Sequence, residues 1–169
     1  MIHKFTTPEM ELALVNPRTG AFPFVRYFVL PRVAYGLNHI NHECDLLILS
    51  KSGVLHEVEI KISKADLLAD KRKRHTHDSK IIKRLWFAVP EHLKDFAIDH
   101  IPEKAGLIYV VRQLLRNGSI RESCHVVKMP KHKGKDKPDQ ALVAHMYELM
   151  AMRYWSEKIR VYNRSMRKV

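Results

Sequence analysis

Apolar residues fall in short runs along most of the chain and at helical spacing near its end. Leu46 to Leu49, Leu85 to Val89 and Leu107 to Val111 are unbroken or nearly unbroken apolar runs of strand length, the pattern of strands covered on both faces. Asp45 enters the first of these and Pro90 closes the second. Phe24 to Leu30 is aromatic and β-branched enough for a strand that Pro31 interrupts, leaving residues 32–41 as an irregular or extended connection. Val54 to Ile62 alternates: Val58, Ile60 and Ile62 face one way, and Glu57, Glu59 and Lys61 the other. Asn117-Gly118 turns the chain back into a strand over 120–127.

Helix signals lie between these strands. Thr6 can cap a helix with Pro8 in its first turn and Glu9 completing a capping box, and Asn16-Pro17 ends it. Ser63 and Asp66 open a second helix with a strongly basic end, and residues 91–100 suit a third. The lysine-rich stretch around Gly134 reads as a linker. Beyond it Leu142, Met146, Leu149, Met152 and Ile159 predict a long helix, as core or as a homo-oligomer contact. The expected layout is a core over 1–129, a basic linker over 130–139, and a helical extension over 140–169 packed on the same domain.

The turn between the second and third strands carries the chemistry. With Lys51-Ser52-Gly53 as a three-residue turn and glycine at its left-handed position, Ser50 pairs with Val54. Asp45 then falls opposite Glu59, with Cβ atoms about 4.5–5.5 Å apart on one sheet face. A two-residue turn would place the two acids on opposite faces. Two carboxylates so close repel unless a cation compensates, and hard oxygen ligands suit Mg²⁺ or Mn²⁺. Lys61, two residues on, shares that face and can orient water or stabilise charge on a phosphoryl oxygen. The bland alternative is a solvated strand face.

Charge favours the chemical reading. The net charge is +12. Residues 61–84 hold nine lysines and arginines against three aspartates. Lys64, Lys71, Arg72, Lys73, Arg74, Lys80, Lys83 and Arg84 are the residues expected to contact a phosphate backbone. No apolar stretch reaches the roughly 18–20 residues of a membrane span, and the N-terminus lacks a signal core, so a cytoplasmic protein without membrane partners is expected. The two cysteines, Cys44 and Cys124, form no disulfide framework. With His42 and His56 they match no paired zinc spacing, so zinc is not favoured.

Glu43-Cys44-Asp45, followed by Glu57-Val58-Glu59-Ile60-Lys61-Ile62-Ser63-Lys64-Ala65-Asp66-Leu67, resembles the core of the PD-(D/E)xK nuclease superfamily. Within it, residues 45–111 are similar to the MmcB-like group of DNA-repair nucleases, phage-type members included. The segments Leu85 to Pro90 and Ile101 to Ile108 support that likeness. The resemblance implies an α/β, restriction-endonuclease-like mixed central sheet flanked by helices, Mg²⁺ or Mn²⁺, and hydrolysis of DNA phosphodiesters in repair or phage DNA metabolism. It implies Asp45, Glu59 and the Ile60 carbonyl as metal ligands and Lys61 as the catalytic lysine. Members often add a glutamate from the first helix, for which Glu11 is the candidate, and Glu57 competes with Glu59 as a ligand. Cys44 stands where the motif has proline, and no Gln-x-x-x-Tyr follows Lys61, which sets the chain apart from the RecB-type exonuclease branch. The alternative is a non-catalytic nucleic-acid-binding protein that keeps the fold.

Overall fold

The computed structural model describes residues 4–33, 37, 40, 42–70, 79–134 and 136–166. Its centre is a six-stranded mixed sheet with the strands side by side in chain order. They are β1 (Phe28–Val33), β2 (Cys44–Leu49), β3 (Leu55–Ile60), β4 (Ile82–Pro90), β5 (Gly106–Leu114) and β6 (Ile120–Lys128). β1, β2 and β3 run antiparallel, as do β5 and β6. β3, β4 and β5 are parallel. Parallel neighbours need crossovers, and the helices α2 (Lys64–Asp70) and α3 (Lys94–His100) lie in those two connections. The α/β class and the mixed sheet flanked by helices are as expected from the sequence.

Each face of the sheet has its own apolar layer. Met10, Ala13 and Leu14 of α1 (Thr7–Val15) pack with Leu46, Ile48, Val58, Ile60, Trp86, Ala88 and Ile108. Leu67 of α2 and Ala97 of α3 pack with Leu85, Phe87, Val89 and Leu107 on the other side. Covering both faces explains why Leu46–Leu49 of β2 and Leu85–Val89 of β4 are unbroken apolar runs rather than alternating. Thr6 and Glu9 form both halves of the capping box that starts α1.

The β2–β3 turn has the predicted form. Ser50 N–H donates to the Val54 carbonyl at 2.9 Å, and Gly53 adopts φ +76° with open space where a Cβ would sit. Gly53→Ala therefore tests backbone strain alone. We expect it to cost about 1 kcal/mol, read as a lowered urea midpoint with an unchanged slope. An unchanged midpoint would mean that residue 53 is not held in the left-handed conformation.

Three elements differ from the sequence expectation. β1 starts at Phe28 and runs through Pro31, which sits opposite Leu46. β1 is an edge strand, so a residue without an N–H is tolerated there. The stretch expected as a linker is tied to neighbouring backbone: Lys133 N–H donates to the Lys83 carbonyl and Gly134 N–H to the Ile82 carbonyl. A side chain at Gly134 would collide with the Lys80 carbonyl, which glycine avoids. The chain divides into two compact units, Met1–Lys137 and Pro138–Val169. The second carries α4 (Gln140–Met166), in which Met152 and Ile159, expected as core or as a homo-oligomer contact, are exposed and so are not core. Among the described residues no helix is long and apolar enough to cross a membrane.

Candidate metal and phosphodiester site

β2 and β3 pair Leu46 with Val58, Leu47 with Glu57 and Leu49 with Leu55. One further step in this register sets Asp45 opposite Glu59. At that step the ladder changes partner, because Asp45 Oδ2 accepts the Ile60 N–H at 2.7 Å. The carboxylate thus replaces a backbone carbonyl where β2 begins. This fixes Asp45 against the Glu59–Ile60–Lys61 stretch.

Glu59 and Lys61 are 2% and 3% exposed, which excludes a solvated strand face. Lys61 Nζ donates to Glu59 Oε2 at 2.7 Å. Burial pushes the Glu59 carboxyl above its usual range; Lys61 pulls it down, and the charges of Asp45 and Glu57 push it up again. Glu59 thus lies in a poorly solvated place under the charges of buried Glu57 and half-buried Asp45, where a cation is favoured.

Asp45 also opens outward. A cleft of about 310 Å³ is lined by Glu11, Glu43 and Asp45, with Arg32, Thr7, Val33 and Cys44 beside them. Glu11, from α1, and Asp45 thus face one cavity, while Arg32 Nε lies 3.4 Å from Glu11 Oε1. Arg32 holds φ +48°, the left-handed region that side chains other than glycine rarely adopt. Asp45 lines the open cleft and also accepts the Ile60 N–H, between the two residues of the buried pair.

Glu57, the competing acid, is 0% exposed and 2.8 Å from His42 Nε2. Among the described residues, His42, Cys44 and Glu57 bring one ligand atom each to within 4.8 Å of one another. No spacing rule groups these three, because Glu57 arrives from the facing strand. His56 and Cys124 are engaged elsewhere: Trp86 Nε1 donates to His56 Nδ1 at 3.1 Å, and Cys124 Sγ donates to the Ala13 carbonyl at 3.4 Å.

The basic residues are spread unevenly. Lys64 and Lys80 are exposed, and Lys83 and Arg84 are half-buried. Lys64 Nζ lies over the Phe96 ring at 4.9 Å. Arg84 Nε is buried, and its charge acts on His56. Lys71, Arg72, Lys73 and Arg74 lie outside the described residues.

No protein-family model matches the chain, and no curated protein matches it in sequence. Among solved structures, the SPO1766 protein of unknown function from Silicibacter pomeroyi is similar, with a TM-score of 0.58 over 91% of this chain and 90% of that one, at 16% identity. A likeness at that identity is one of fold.

Proposed function

We propose that this chain is a metal-dependent nuclease of PD-(D/E)xK type, similar to the MmcB-like group, that hydrolyses DNA phosphodiester bonds. Asp45 and Glu59 would hold Mg²⁺ or Mn²⁺, with the Ile60 carbonyl and Glu11 as further oxygen ligands. The observation that carries this reading is Asp45 seated against Glu59–Ile60–Lys61 while also lining the cleft that Glu11 shares. An all-oxygen donor set with crowded carboxylates fits a hard divalent cation. When bound, such an ion lowers the pKa of a coordinated water and polarises a phosphoryl oxygen.

The protein's own groups supply the rest. Lys61 is a positive charge in a poorly hydrated place, where it acts more strongly than in water on charge developing at a phosphoryl oxygen. Its contact with Glu59 holds the ammonium in place. The excess of lysine and arginine over residues 61–84 suits the polyanion, and exposed Lys64 and Lys80 are free of burial costs in reaching it.

The test is cleavage of labelled single-stranded, duplex and branched DNA with Mg²⁺ or Mn²⁺. Asp45→Asn retains an oxygen to accept the Ile60 N–H and loses the charge. It is expected to cut at least about 100-fold more slowly, with DNA binding preserved. Undiminished cleavage by this variant would remove Asp45 from the site. No cleavage of any substrate by the intact protein, with DNA still bound, would leave a binding module that keeps the fold.

A further inference from the structure

We propose that His42, Cys44 and Glu57 form a second cation site, distinct from the Asp45–Glu59 pair, that takes a borderline-soft divalent ion such as Zn²⁺. Their ligand atoms lie within 4.8 Å of one another, and His42 Nε2 and Glu57 Oε1 are 2.8 Å apart. A tetrahedral zinc centre with bonds of about 2.0–2.3 Å spaces its ligands about 3.3–3.7 Å apart. Side-chain movements of about 1 Å would close that difference. Imidazole, thiolate and carboxylate together select zinc-like ions over Mg²⁺, whereas the oxygens of Asp45 and Glu59 do the opposite.

Burial and access agree with the assignment. The three residues are 7%, 2% and 0% exposed, so their donor atoms are oriented by packing before any ion arrives. Cys44 also borders the cleft, which provides a way in. Three protein ligands leave a fourth position for water. Loading is proton-coupled: the Cys44 thiol gives its proton to solvent, and the proton lying between His42 Nε2 and Glu57 Oε1 leaves that contact, so that both atoms present lone pairs to the ion. The ion would tie the segment before β2 to the middle of β3, next to the residues that hold the first site.

Co²⁺ is the probe, added to chelator-treated full-length protein under a non-thiol reductant. One equivalent should produce visible d–d bands and a near-ultraviolet sulfur-to-cobalt charge-transfer band, bleached by Zn²⁺ and untouched by excess Mg²⁺. Cys44→Ser should abolish the charge-transfer band, and His42→Gln should weaken Co²⁺ binding at least about tenfold. Circular dichroism of both variants confirms that they fold. Cys124→Ser and Asp45→Asn should keep the band. The Asp45 control separates this site from the nuclease reading, since that variant should stop cleaving and still bind Co²⁺. A missing band in the intact protein, a band that survives Cys44→Ser, or one bleached by Mg²⁺ would each overturn the site.

Discussion

Lys61→Met should lower the stability of the metal-free protein by about 3–5 kcal/mol at pH 7.5, and acid should restore part of the loss. Lys61 and Glu59 are both almost wholly buried and 2.7 Å apart. Removing the ammonium leaves the Glu59 carboxylate in a poorly hydrated place beside Asp45 and Glu57. Lys61 is the influence that pulls the Glu59 pKa down, so in the variant burial and the neighbouring acids push it further up. A carboxyl whose folded pKa lies above its unfolded value favours the folded state fully below the unfolded value. That contribution is lost as pH rises through the folded pKa. The gap between variant and parent should therefore be widest at pH 7.5 and narrow as pH falls towards the ordinary carboxyl range. Urea unfolding of both proteins at pH 7.5 and pH 5 measures it. An equal gap at the two pH values, or a gap under about 1 kcal/mol, would show that the pair is not the buried charge contact described.

The same contact marks how far the sequence could be read. Asp45 opposite Glu59 follows from one turn, since Gly53 in the left-handed conformation commits the loop to three residues and the loop sets every pair down the hairpin. The double apolar coat was legible in the unbroken runs Leu46–Leu49 and Leu85–Val89. Pro31 was misleading because a proline argues against a central strand, while the edge position of β1 depends on strand order, which no local pattern states. The 130–139 stretch looks like a linker because its lysines and glycine give no side-chain pattern; Lys131, Lys133, Gly134 and Asp136 are held through backbone atoms. Glu57 shows the same limit at the site. Alternation puts it on the face of Glu59, yet its partner His42 lies where the sequence carries no periodicity. Met152 and Ile159 follow a helical apolar spacing that the solvent-exposed part of α4 also shows, so period alone did not separate core from surface.

Acid should weaken the protein through His56, by about 3 kcal/mol between pH 6.5 and pH 4. The ring is 4% exposed, stacks at 10° on Trp86 and meets Phe22 edge-on. Trp86 Nε1 can only donate, so the bond it makes to His56 Nδ1 requires that nitrogen to be unprotonated. Burial, then the positive charges of Arg84 and His132, lower the His56 pKa from 6.5 to about 4. In a folded protein that resists protonation, stability is complete above the unfolded value of 6.5. It falls as the unfolded chain takes up the proton first, and the loss is complete below about 4. His56→Gln can still accept the Trp86 N–H through its amide oxygen and carries no titrating group. Its stability should vary less than that of the parent by about 3 kcal/mol over this window, read from urea midpoints in steps of pH. The Glu59 carboxyl contributes in the opposite direction as pH falls, but it is present in both proteins and cancels in the difference. Parallel profiles would mean that His56 is not held neutral. His56 adjoins Glu57 on the strand that ends at Glu59 and Ile60, so its protonation would loosen the strand that carries residues of both proposed sites. On the proposed nuclease reading, cleavage should then fall on the acid side through loss of folded protein, with the surviving fraction tracking the stability of the parent and not of His56→Gln.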